Sequence, residues 1–110
     1  MTERYKRLGS IAPAASETAL YTVPTGIVAI VSVCVVANRD TAQGTVRITH
    51  SADGAATATT DDLVPTAKVD PNTSIECLKG IVLEETDVVR VTPSTANFTI
   101  NLYGVERDIS

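Results

Sequence analysis

Apolar and polar positions alternate along this chain in short runs separated by turn residues. Residues 5–11 form a first candidate strand and 20–23 a second, stopped by Pro24-Thr25-Gly26, where proline presets φ and glycine accepts a positive one. The run 27–37 is the longest, and Asn38-Arg39-Asp40 with Ala42-Gln43-Gly44 connect it to 45–50. In that next strand Val46 and Ile48 alternate with Arg47 and Thr49, so one of its faces is expected to be wet. A polar loop follows over 51–62, then 63–69, where Pro65 suggests an edge strand or two short pieces. Asp70-Pro71-Asn72 reads as a turn before 74–78, and 81–83, 88–92 and 97–105 complete the set. In the last run Phe98, Ile100 and Leu102 face one way, and Thr99, Asn101 and Tyr103 the other. About eight short strands with regular turns predict a single all-β domain, an antiparallel β-sandwich of jelly-roll or immunoglobulin-like layout.

The third run departs from simple alternation. Ile27, Ala29, Val31, Val33 and Val35 lie on one side, and Val28, Ile30, Ser32, Cys34 and Val36 on the other. Both faces are apolar, so something is expected to cover the second one, either a long loop of the same chain or a neighbouring subunit. Val28, Ile30, Ser32, Cys34 and Val36 are therefore the candidate oligomer interface.

Composition supports the β assignment. Thr, Val and Ile make up 38 of 110 residues, and β-branched side chains fit a pleated surface better than a helix. A chain of this length holds one domain and a core without needing disulfides or metal. The apolar run 27–37 is too short to span a bilayer as a helix, which takes about 20 residues, and no secretory signal is expected from the polar N-terminus. Net charge is −4, which argues against a nucleic-acid partner. The charge is split, however. Arg4, Lys6 and Arg7 stand against Glu3 in the first ten residues, and acids outnumber bases in the rest. This basic N-terminal arm (about 1–10) is a candidate partner contact or an ordinary solvated terminus.

An inventory of chemistry returns little. His50 is the sole histidine, and no nucleophile elbow, phosphate-cradling glycine loop or zinc pattern is present. No enzyme activity and no cofactor are expected. Asp53, Asp61 and Asp62 form a candidate binding loop, and Glu84, Glu85 and Asp87 a second acidic stretch. Calcium uses such oxygens, but neither stretch has the EF-hand spacing, so solvated loops are the plainer reading. Cys34 and Cys77 read as small buried hydrophobes; a disulfide requires adjacent strands, which spacing alone does not decide.

Leu20-Tyr21-Thr22-Val23-Pro24-Thr25-Gly26 precedes the long apolar strand and its Asn38-Arg39 turn. Further on come the loop around Ser51-Ala52-Asp53-Gly54-Ala55-Ala56, the strand near 74–79, Asp87-Val88-Val89-Arg90-Val91 and Ser94-Thr95-Ala96-Asn97-Phe98. This order of segments, from about residue 6 to 104, resembles small virion structural proteins of tailed bacteriophages. The resemblance implies a capsid decoration (cement) protein on the outside of the head shell, or a tail- or fibre-associated piece. It implies a homo-oligomer, often a trimer, with the major capsid protein or other virion proteins as partners. It also implies location in the virion after assembly in the host bacterial cytoplasm, with no catalytic residues to carry over; from charge and from the short apolar run, no nucleic-acid or membrane partner is expected. A binding module that recognises a host-surface glycan or peptide through its loops is the alternative.

Overall fold

The computed structural model describes residues 3–52, 62–78 and 80–109, with the backbone alone at 62, 64 and 65. Nine strands follow one another among these residues: β1 (Glu3–Ile11), β2 (Thr18–Thr22), β3 (Ile27–Asn38), β4 (Gly44–Ser51), β5 (Asp62–Val69), β6 (Ser74–Cys77), β7 (Ile81–Leu83), β8 (Val88–Pro93) and β9 (Phe98–Asp108). They make two antiparallel sheets packed face to face, an all-β sandwich. The five-stranded sheet runs β1-β9-β3-β6 with β7 also on β3, and the four-stranded sheet runs β2-β8-β4-β5.

First pairs with last (β1–β9), second with next to last (β2–β8), β3 with β6 and β7, and β4 with β5. This is one long hairpin rolled into two layers, the jelly-roll arrangement, once β6 and β7 are taken as one broken strand. β6 ends at Cys77 and β7 begins at Ile81, and Leu78 and Gly80 between them both have positive φ. The other expected turns hold. Gly26 has φ 82°, and the Ile27 amide donates to the Pro24 carbonyl at 3.2 Å. The strand containing Pro65 lies at a sheet edge, where its missing N–H costs no ladder bond.

Phe98, Ile100 and Leu102 of β9 project into the core against Val46 and Ile48 of β4, Val89 and Val91 of β8 and the inner residues of β3, all fully buried or nearly so. At one end of the sandwich the buried Asn38 ties the turns together. Its Nδ2 donates to the carbonyls of Ala42 and Val69, both at 3.0 Å, and its Oδ1 accepts from the Asp40 amide at 2.9 Å. Asn97 Nδ2 donates to Asp40 Oδ2 at 3.0 Å, and this bond first of all holds the Asp40 carboxyl below its ordinary value.

Two β-bulges sit opposite each other across β9. On β1 the pairing steps from Arg7↔Tyr103 to Gly9↔Leu102, and on β3 from Val31↔Gly104 to Val33↔Tyr103. Leu8 and Ser32 are the extra residues. A bulge inserts one residue and reverses which face the following residues occupy. In β3, Ala29 and Val31 are buried before the bulge and Cys34, Val36 and Asn38 after it. The expectation that even-numbered positions share one face from 28 to 36 is corrected here. Val28, Ile30 and Ser32 point outward, whereas Cys34 and Val36 are fully buried in the core. The outward set continues as Val33 and Val35.

The strand expected over 5–11 runs from Glu3 to Ile11, so the basic segment lies within β1 and pairs along its length with β9.

Candidate functional site

The outer face of the five-stranded sheet carries an apolar row that crosses four strands. Tyr5 pairs with Val105, Val105 with Ile30, and Ile30 with Val82. Directly opposed residues in a ladder point to the same side, so these four side chains form one continuous stripe. Tyr5 is 83% exposed, Val82 60% and Ile30 46%. Tyr103, with Arg7 and Val33 as its ladder partners, forms the next row on the same face. Scattered exposed apolar residues need no explanation, but a contiguous stripe of large ones marks a surface suited to covering.

Gly104 lets these strands close up. A β-carbon there would stand 2.1 Å from the Ile30 carbonyl oxygen. That atom is backbone and cannot swing aside, so only glycine admits this approach of β3 to β9, at the point where both bulges begin.

Behind the row, on the inner side, lies a polar corner between the edges of the two sheets. Glu106 of β9, 4% exposed, accepts a hydrogen bond on Oε2 from the Tyr21 hydroxyl of β2 in the opposite sheet. Its Oε1 faces Lys6 Nζ at 3.3 Å and Arg4 Nη2 at 3.6 Å, both from β1. Burial pushes the Glu106 carboxyl up, but the hydrogen bonds from Tyr21 and Lys6 and the charges of Lys6 and Arg4 outweigh it and hold the group below its ordinary value. Burial first, and then the bond to the carboxylate, raises the Tyr21 phenol, which stays protonated and donates. Two of the three cations singled out in the sequence are thus engaged within the fold; Arg7 stands on the outer face beside Tyr103.

Glu106 was reachable from sequence. The inward alternation Phe98, Ile100, Leu102 continues through Gly104 to Glu106, and a carboxylate at an inward position calls for cationic or hydrogen-bonding partners. Which partners it meets depends on β1 and β2, edge strands of opposite sheets and far away in the chain, meeting at this corner.

His50 and the second acidic stretch take part in turn contacts. His50 Nε2 lies 2.7 Å from Asp87 Oδ2, and the same oxygen accepts from the Glu84 amide at 3.0 Å, which closes the β7–β8 turn. Glu85 Oε2 accepts from the Gly26 amide at 3.0 Å. This second acidic stretch therefore staples neighbouring turns. Asp53 and Asp61 of the candidate binding loop lie outside the described residues, as does the side chain of Asp62. A shallow groove of about 440 Å³ is lined by Ala37, Asn38, Arg39, Asn72, Thr73 and Ser74. Among the described residues no group of three His, Cys, Asp or Glu side chains converges as a metal site would, and no helix is long and apolar enough to cross a membrane. Comparison with protein-family models, with curated proteins and with solved structures gave no match.

Proposed function

We propose that this chain is a virion structural protein of a tailed bacteriophage, a capsid decoration protein. In this reading it assembles with copies of itself, as a trimer, and binds the outside of the head shell through the major capsid protein. The observation that carries this reading is the stripe Tyr5–Val105–Ile30–Val82, which offers large apolar side chains in one line on a rigid sheet. Covering side chains of this size is worth roughly 1.5–3 kcal/mol each when complete. The order of sequence segments points to the same class of protein. The jelly-roll pairing agrees with it as fold-level analogy, since that layout serves viral coats as well as lectins and cupins.

The test is the mass in solution. Light scattering should give a multiple of 11.6 kDa that persists on dilution through micromolar concentrations, because interfaces of obligate assemblies are large and apolar. The double variant Ile30→Thr/Val82→Thr, which keeps β-branched residues in both strands, should revert to a single chain and lose occupancy on purified head shells. A single-chain mass for the unaltered protein throughout that range would remove self-assembly from the proposal.

A further inference from the structure

Cys34 and Cys77 are the two cysteines of this chain, and the register of β3 with β6 sets them directly opposite each other. Opposed residues of an antiparallel pair have Cα atoms about 4.5 or 5.5 Å apart, according to whether the pair exchanges hydrogen bonds. Both separations fall inside the roughly 4.4–6.8 Å that a disulfide bridges. The surroundings of the two thiols differ. Cys34 sits in a central strand and is fully buried, whereas Cys77 is half-buried on β6, a four-residue strand that pairs with β3 at the end of the sheet among the described residues.

We propose that Cys34 and Cys77 form an intrachain cross-strand disulfide when the folded protein meets a small-molecule disulfide, and that this bond clamps the edge strand β6 to the sheet.

The order of steps follows from exposure. The Cys77 thiolate attacks one sulfur of the oxidant, whose S–S bond breaks and releases one thiolate, leaving a mixed disulfide on Cys77. Cys34 then attacks the Cys77 sulfur, its proton passing to the second half of the oxidant, which departs as thiol. Two protein thiols are oxidised, and one small disulfide is reduced to two thiols. Cys77, the half-buried thiol, is the one an oxidant can reach and so the attacking group, and the fully buried Cys34 is the resolving one. The bond closes a long loop containing β4 and β5, and so restricts the unfolded chain.

The experiment uses the full chain in its native fold, incubated with oxidised glutathione and read by intact mass, free-thiol titration and thermal unfolding. The expected product has lost about 2 Da and both free thiols, and it unfolds roughly 10 °C higher than the same sample after reduction. Peptide mapping of the oxidised protein should link the Cys34 and Cys77 peptides within one chain. Cys34→Ala should stop at a stable glutathione adduct on Cys77, and Cys77→Ser should leave Cys34 unmodified. Two free thiols after treatment, a lasting glutathione adduct on the unaltered chain, or a bridge between chains would each overturn the proposal. Peptide mapping and thiol titration of the unaltered protein decide the matter even where a variant does not fold.

Discussion

Thr45, Arg47, Arg90, Thr92 and Lys68 stand on the outer side of the four-stranded sheet, and Tyr5, Val105, Ile30 and Val82 on the outer side of the five-stranded sheet. Both sets come from the same alternation of inward and outward residues over one shared core. The first face is one of hydroxyls and cations, on which Thr49 and Ser51 are buried and Arg90 Nη1 donates to Ser51 Oγ at 2.7 Å. The second is an apolar stripe set on strands that a glycine allows to close up. The alternation dictates which side chains are outward and leaves their character free. The fold itself does not require an apolar outward row, which is why the proposed assembly is placed there.

The largest expected effect tests how the apolar face is supported. Gly104→Ala forces a β-carbon onto the Ile30 carbonyl, and relief demands that β3 and β9 part. A loss of about 3 kcal/mol is expected from overpacking against backbone, visible as a lower urea midpoint and weaker hydrogen-exchange protection in both strands. Unchanged protection in β3 would mean that the approach does not depend on glycine.

Next comes the polar corner beneath the same face. Glu106→Ala leaves the Tyr21 hydroxyl buried and unpaired, and about 2 kcal/mol of stability should be lost. The half-exposed Arg4 and Lys6 contribute little of that. The pH dependence carries a definite sign. A carboxyl whose native value lies below its unfolded one stabilises fully above the unfolded value of about 4.3. That contribution disappears as pH falls through the lowered native value, since protonation then favours the unfolded chain. Glu106→Gln should flatten the acid limb of stability; an acid limb identical to that of the unaltered protein would assign the dependence to other carboxylates.

Smaller effects on stability separate the two outer faces directly. Ile30→Thr/Val82→Thr should cost about 1 kcal/mol of fold stability, because these side chains are half in water already, while association falls at least tenfold. On the opposite face Lys68→Ala should change stability by no more than about 0.5 kcal/mol and leave the solution mass alone. If the Lys68 variant dissociates the assembly and the apolar variant does not, the functional face has been assigned to the wrong sheet.

Much of the fold was legible along the chain. The strand positions, the turn at Gly26, the edge position of the strand with Pro65 and the inward set Phe98, Ile100 and Leu102 all follow from period and turn chemistry. The candidate interface was legible only in part. Val28 and Ile30 are outward, but Cys34 and Val36 are not, because Ser32 is a bulge residue. A bulge leaves a mark in sequence only when the two faces differ in polarity, and 27–37 is apolar on both. The basic segment 4–7 read as an arm because its partner, Glu106, lies at the other end of the chain.

Local chemistry therefore determined the all-β class, the strand boundaries and the scarcity of reactive groups, since each depends on neighbours within a few residues. Tertiary structure alone decided that β1 pairs with β9, that Glu106 meets Tyr21 and Lys6, that Cys34 faces Cys77, and that the apolar row runs across Tyr5, Val105, Ile30 and Val82. Each of these joins residues from different strands, and the register that joins them is set by bulges and by close packing, which no local period records.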